Sequence, residues 1–295
     1  FFYIKAEYEH GDSDIRKFKN VPNGIELANL GSSHGKYAFD YANHPEIKTF
    51  NFALPMQSLD LDSRITKQFI SKMKENSVLL IIVSWFEVDA IPTKENFELR
   101  EKKYYQFLDR NLLPDYEFSK YIVLKYFPSL KAKNPLATIW NNLLLKKSDA
   151  TLSKSFADIA AEDKISQSRE AAEGIFRSFS RKSDEGLHYN SALLFEIIET
   201  CKEHKVRPVI ITTPVTDTVV SFFPEQKDLT ENIQNLKNCV ANKYQDVLWL
   251  DFSLDSNLTG RYDLFFDASH MNKQGALFFT DKVIQILIDK GLFSK

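Results

Sequence analysis

Residues 24–35 read Gly-Ile-Glu-Leu-Ala-Asn-Leu-Gly-Ser-Ser-His-Gly. The first seven form a short strand, and they run straight into a turn of small residues, Gly31-Ser32-Ser33-His34-Gly35. A strand that feeds a tight turn offers its last side chains to solvent on a rigid support, a common place for chemistry. Working outward, Thr49-Phe50-Asn51-Phe52-Ala53-Leu54 reads as a second strand, stopped by Pro55. Residues 62–76 carry Ile65, Phe69, Ile70 and Met73 at helical spacing, which predicts a helix. Val78-Leu79-Leu80-Ile81-Ile82-Val83 is apolar throughout, as expected of a central strand covered on both faces of a parallel sheet.

Residues 92–186 break this rhythm. They are rich in Lys, Glu and aromatic side chains, show helical patches around 97–113 and 171–179, and lack clear strand alternation. They read as a helical insertion within a single domain spanning 1–295. Beyond them the alternation resumes: a helix over 189–204, a strand over 207–214 ending at Pro214, a helix over 229–244, a strand over 246–251 and a last helix over 273–290. Strands alternating with helices predict a three-layer α/β/α sandwich with a mostly parallel sheet.

The 295 residues are 43% hydrophobic, ample for a sizeable core, which argues against a disordered or fibrous chain. Lys and Arg number 38 against 40 Asp and Glu, so there is no bulk basic field to draw the chain onto phosphate backbones, and no nucleic-acid partner is expected. The longest strictly apolar run, 78–83, is far short of the roughly 20 residues that cross a bilayer. Cys201 and Cys239 lack zinc-type spacing, so neither a metal site nor a disulfide framework is indicated, and one optional disulfide is left open. Because the first residue is Phe1 rather than Met, the chain reads as processed or trimmed. What preceded it could have been a signal peptide or a membrane anchor.

A second segment completes the functional reading. Asp267-Ala268-Ser269-His270 follows Leu264-Phe265-Phe266 and precedes Met271-Asn272-Lys273-Gln274-Gly275-Ala276. A serine hydroxyl is a weak nucleophile until a base takes its proton, and the base needs an acid to fix its tautomer and stabilise its charged form. Ser33, His270 and Asp267 fill those roles if the sheet brings the two ends of the chain together.

This combination resembles the SGNH, or GDSL-like, hydrolase superfamily, whose nucleophile closes a Gly-Asp-Ser block after the first strand and whose base and acid come from an Asp-x-x-His block before the last helix. Gly31-Ser32-Ser33 matches the first block with Ser in place of Asp, which makes Ser33 the nucleophile. Asp267 and His270, with Asn272 and Gly275 behind them, match the last. The resemblance implies a flavodoxin-like α/β sandwich that needs neither metal nor diffusible cofactor. The Gly-Ser-Ser variant looks most like the cell-envelope branch, which includes the D-alanine transfer protein of teichoic acid synthesis and the alginate-type O-acetyltransferases. That branch implies an extracytoplasmic protein anchored upstream of Phe1, a cell-surface polysaccharide as acceptor, and an acyl donor supplied by a membrane-bound acyltransferase.

Two positions depart from the family. The glycine whose amide helps form the oxyanion hole falls at Met56, and the Gly-x-Asn block after the central strand is replaced by Ser84-Trp85-Phe86-Glu87. The expected oxyanion and substrate contacts are therefore the amides of Ser33 and Met56, a group near Ser84, and the side chains of Trp85 and His34, with core packing the other reading of Trp85 and a turn-stabilising hydrogen bond the favoured role of His34. Gly11-Asp12-Ser13 spells the family signature literally, but it follows polar Glu7-Tyr8-Glu9-His10 rather than a strand and so lacks the required context. The function expected is a serine-dependent O-acyltransferase acting on a surface glycan. An esterase of the same fold, or a non-catalytic glycan-binding assembly subunit, is the alternative.

Overall fold

The computed structural model describes residues 2–5, 15–84, 87–91, 102–113, 116–131, 134–140, 152–177, 180–181, 183–222 and 227–293. Five strands, β1 (Ile25–Asn29), β2 (Thr49–Asn51), β3 (Met73–Ile82), β4 (Arg207–Thr212) and β5 (Leu248–Asp251), form one sheet in the order β2-β1-β3-β4-β5. Every pairing in it is parallel. The helices among the described residues include α1 (Ser33–Ala38), α2 (Leu59–Phe69), α3 (Ala161–Arg177), α4 (Ser183–Glu203), α5 (Lys227–Lys243) and, after β5, α6 (Lys273–Asp289), with shorter ones at Phe118–Tyr126, Pro135–Ile139, Asp217–Val220 and Ser256–Thr259.

Parallel neighbours need crossover connections, and these are right-handed when a right-twisted strand feeds a helix. The chain steps one way from β1 to β2 and the other way from β2 through β5, so α1 lies on one face and α2, α4 and α5 on the opposite face. The packing agrees: α1 meets α6, while α4 meets both α2 and α5. The result is the α/β/α sandwich that the alternation predicts. Between β1 and β3 the direction of winding reverses, leaving a crevice beyond the carboxyl ends of those strands where open sheets bind ligands.

The central strand carries the core. Val78 to Ile82 are buried on both faces, and their pairing with β4 runs unbroken from Val78 opposite Arg207 to Ile82 opposite Ile211. The periodicity places residues up to 76 in a helix, but α2 ends at Phe69. A 3-10 turn follows over Ile70–Lys72, and Met73 opens β3 opposite Ile25. Lys74-Glu75-Asn76-Ser77 offers no apolar stripe to extend the helix; it bulges out of the ladder between the Met73–Ile25 and Val78–Leu27 pairs, with the Asn76 amide on the Lys205 carbonyl at 2.7 Å.

The segment between β3 and α4 holds a mixture of structure. Residues 102–113 contain two 3-10 turns, Tyr104–Gln106 and Arg110–Leu112, where a helix over 97–113 is expected; 92–101 lie outside the described residues. Tyr104 and Tyr105 are both fully buried, and burying adjacent side chains suits an irregular turn better than one face of a helix. Of the patch around 171–179, residues 171–177 belong to the longer α3, and 178–179 lie outside the described residues. Where no strand is expected, Ala90–Ile91 pairs antiparallel with Ser180–Arg181 and draws the two ends of the segment together. Cys201 is buried and Cys239 exposed, and both are free, so the optional disulfide is not formed.

Candidate active site

At the end of β1 the chain turns into α1 through Gly31, whose φ of +120° lies where side chains are disfavoured. A Cβ there would sit 2.7 Å from Cβ of Ile82, and one at Gly35 would sit 2.5 Å from the Leu30 carbonyl oxygen. Both glycines are required by the close approach of this turn to β1 and β3. A buried asparagine, Asn29, and the partly buried Asn51 hold it from below. Asn29 Nδ2 donates to the Gly35 carbonyl at 3.0 Å and to Asn51 Oδ1 at 3.1 Å, and Asn29 Oδ1 accepts the Tyr41 hydroxyl at 2.9 Å. Asn51 Nδ2 donates to the Lys36 and Phe39 carbonyls, each at 3.2 Å. Ser33, the first residue of α1, is thereby fixed with its side chain half-exposed, while Ser32 is buried.

The 267–270 loop arrives from the other end of the chain. Thr216, just beyond β4, pins it by donating its amide and its hydroxyl to the Ala268 carbonyl, at 3.2 and 2.7 Å. Asp267 Oδ1 accepts the amides of Ser269 and His270, both at 2.8 Å. Its Oδ2 lies 2.9 Å from Nδ1 of His270. Burial pushes the Asp267 carboxyl up, but the bonds from the His270 ring and the two amides outweigh it and hold the group below the ordinary range. An ionised Asp267 accepts only, so Nδ1 carries the ring proton and Nε2 is left as an acceptor. That Nε2 lies 2.8 Å from Ser33 Oγ, joining residues 237 apart in sequence.

Asn272 caps α6 by accepting the Gly275 amide at 2.9 Å, and its Nδ2 donates to the Asp263 carbonyl at 2.7 Å. This gives a local reason for Asn and Gly behind the Asp-x-x-His block. A Cβ on Gly275 would lie 2.0 Å from the Leu264 carbonyl oxygen, which leads straight into the loop. Gly275→Ala is therefore expected to destabilise the fold by about 3 kcal/mol, lowering Tm by roughly 5 to 10 °C in a thermal melt. A wild-type Tm would mean that the helix reseats without strain.

Aromatic rings enclose the imidazole. His34 stacks on it at 4.7 Å, Phe266 lies nearly parallel at 5.6 Å, and Tyr37 presents an edge at 5.5 Å. His34 is buried, and burial together with the neighbouring His270 pushes its pKa down to about 3, against the opposing pull of Asp267. A neutral ring is packed beneath the base rather than a second titrating histidine.

Met56 is exposed and adopts φ +60°, so the left-handed backbone usual for glycine is present here with a side chain attached. The pairing of β1 and β2 continues past the strands, with Phe52 N on the Asn29 carbonyl at 2.8 Å and Leu54 N on the Gly31 carbonyl at 3.2 Å, which carries the 55–57 loop toward the same end of the sheet. Ser84 is buried just past β3, and its hydroxyl has no hydrogen-bond partner among the described residues. Trp85 and the Gly11-Asp12-Ser13 sequence lie outside the described residues. The structure thus joins Ser33, Asp267 and His270 by hydrogen bonds and stacks His34 on the base.

No protein-family model and no curated protein matches the sequence. Among solved structures, the chain is similar to a protein of Bacteroides fragilis described as a candidate acylhydrolase. The identity is 11%, the match covers 94% of this chain and 95% of the other, and the TM-score is 0.44.

Several residues that shape the site escape the sequence reading. Asn29 and Asn51 are polar residues inside strands, where such residues are depleted, and that oddity was a usable signal. Asp62 is an acid on the apolar stripe of α2 with Ile65 and Phe69, a second usable signal. Thr216 bears no local mark, because its role depends on a loop 52 residues away.

Proposed function

We propose that this protein is a serine-dependent acyl-transfer enzyme of the SGNH type, forming an acyl-enzyme on Ser33 and passing the acyl group, acetyl in the simplest case, to a hydroxyl of a cell-surface polysaccharide. The observation that carries the reading is the 2.8 Å contact between Ser33 Oγ and His270 Nε2, with Asp267 fixing the opposite ring nitrogen. As Oγ attacks the acyl carbonyl, its proton moves to Nε2, and Asp267 stabilises the imidazolium. The tetrahedral intermediate collapses when His270 returns that proton to the departing oxygen. His270 then deprotonates the incoming hydroxyl, and collapse of the second intermediate restores the Ser33 hydroxyl. The amides of Ser33 and Met56 and the buried hydroxyl of Ser84 serve as oxyanion donors, each worth about 100- to 1000-fold in rate by analogy with known oxyanion holes.

The polysaccharide acceptor, a membrane-bound acyltransferase as donor and an extracytoplasmic location belong to this reading through the resemblance of the Gly31-Ser32-Ser33 block to the envelope branch. No helix among the described residues is long and apolar enough to cross a membrane, so on this reading any anchor lies elsewhere. An esterase shares the first half-reaction and differs in letting water reach the acyl-enzyme.

Peptide mass spectrometry after reaction with a serine-directed fluorophosphonate tests the proposal. A single adduct on Ser33 is expected. A folded protein that gains no adduct there would leave the glycan-binding subunit as the better reading. With the adduct in hand, acetyl release into water compared with transfer to an added oligosaccharide separates esterase from transferase.

A further inference from the structure

Asp62 is buried on α2, and the chemistry above makes no use of it. Its Oδ1 accepts two hydrogen bonds, from the Gly31 amide at 3.0 Å and from Gln57 Nε2 at 2.6 Å. Gln57, also buried, accepts the Tyr104 hydroxyl on Oε1 at 2.9 Å. The neighbouring Lys103 donates its ammonium to the Pro55 carbonyl. Residues 103 and 104 therefore grip the 55–57 loop on either side of Met56, and Asp62 ties that loop to the residue two before Ser33.

The cations on the adjoining elements are engaged with other groups. Lys17 donates to the Ala53 carbonyl at 2.8 Å, Arg64 pairs with Asp60 on the same helix and reaches the Leu112 carbonyl at 2.9 Å, and Lys103 is held on Pro55. The two donors on Asp62 Oδ1 are neutral amides, and the Tyr104 phenol acts through Gln57. Burial pushes the Asp62 carboxyl up to about 7 despite those two bonds. Asparagine would accept the same bonds without a buried charge, so the acid is the less stable choice for this place. What it adds is a stronger hold on an amide, since a carboxylate accepts more strongly than a neutral oxygen.

We propose that Asp62 is a positioning residue of the acyl-transfer site, the node through which the 103–104 segment, by way of Gln57, sets both the Met56 loop and the turn that carries Ser33. The proposal rests on Ser33 being the nucleophile. Gly31 already holds a backbone conformation open mainly to glycine, and a shift of its amide would carry Ser33 Oγ off its contact with His270.

The test follows the rate of fluorophosphonate labelling at Ser33 by mass spectrometry from pH 5.5 to 9, for wild type, Asp62→Asn and Tyr104→Phe, with thermal melts at the same pH values. Above pH 8, Asp62→Asn is expected to label roughly 10-fold more slowly than wild type, the scale of a small misplacement of a reacting group. Near pH 5.5 wild-type Asp62 is protonated and the rates converge. Stability moves the other way. The unfolded chain ionises Asp62 near 3.8 and the folded chain keeps its proton to about 7, so this residue's contribution to wild-type stability declines across that window and stays low above it. The variant lacks that decline and melts higher than wild type at pH 8. A merely structural role would lower rate and Tm together. Tyr104→Phe keeps Asp62 and removes one hydrogen bond; a slowing of about 3-fold is expected, and this variant carries the test if Asp62→Asn does not fold. Equal rates in all three, with wild type labelled on Ser33, would overturn the proposal and leave the nucleophile standing. No label on wild-type Ser33 would overturn both.

Discussion

Replacing His270 with alanine is expected to slow acyl transfer by about a million-fold, to the level left when a serine–histidine pair loses its base, while the protein stays folded. The fold should survive because the ring makes no bond that the loop depends on. It is the His270 backbone amide that Asp267 Oδ1 holds, and Thr216 anchors the loop through Ala268. The imidazole packs among aromatic rings but keeps 20% of its side-chain surface exposed, so its removal leaves a notch open to solvent rather than a sealed cavity, and the loss of stability should stay at about 1 to 2 kcal/mol. Chemistry depends on the ring entirely, since Nε2 is the acceptor for the Ser33 proton at 2.8 Å. Ser33→Ala should match His270→Ala, and the double variant should be no worse than either, because groups that act as a unit lose their effect together. Hydrolysis of an activated acetyl ester, corrected for the spontaneous rate, measures this. A His270→Ala rate within 100-fold of wild type, or a double variant much slower than both singles, would show that Ser33 does not depend on His270.

What the sequence makes legible follows from how local each interaction is. The 31–35 turn stands out because Ile82 and the Leu30 carbonyl leave no room for a Cβ at Gly31 or Gly35, so steric demand is written directly as residue type. The Asp267–His270 pair is equally readable: three residues of spacing let one carboxylate bond both the ring and the amide of the same histidine. The layered α/β/α class follows from the alternation of strands and helices, but the strand order is decided by pairing between distant segments. Polar contacts between distant segments leave no such trace. Gly31 and Asp62 meet across 31 residues, and Tyr104 meets Gln57 across 47, so nothing in either local pattern announces the partner. Met56 misleads in another way. Its left-handed φ of +60° is imposed by the surrounding loop rather than permitted by a glycine, so the residue type conceals the backbone state. Met73 misleads because it satisfies the helical period and the strand period alike, and only its pairing with Ile25 of β1 decides between them.

Asp267→Asn is expected to lower the rate by about 10,000-fold with little change in geometry, the size of effect seen when an amide replaces the acid of such a triad. The structure dictates which way the new amide must face. Oδ1 of Asp267 accepts the amides of Ser269 and His270, so an asparagine must keep its oxygen in that place. Its Nδ2 then occupies the site of Oδ2, 2.9 Å from the His270 Nδ1. An NH₂ group donates only, so Nδ1 must become the acceptor and the ring proton must move to Nε2, facing Ser33. A protonated Nε2 cannot take the Ser33 proton, and the base is lost although no atom has moved far. Flipping the amide instead would aim NH₂ at two backbone N–H groups, which is worse. The effect should not fade as pH rises, because raising pH removes protons from imidazolium but does not choose between neutral tautomers. Nitrogen-15 NMR of the imidazole, recorded beside the ester hydrolysis rate from pH 6 to 9, checks both halves. Wild type should place the neutral-ring proton on Nδ1, and the variant should place it on Nε2. A variant that keeps the wild-type tautomer, or that loses less than ten-fold in rate, would show that Asp267 anchors the loop without setting the state of the base.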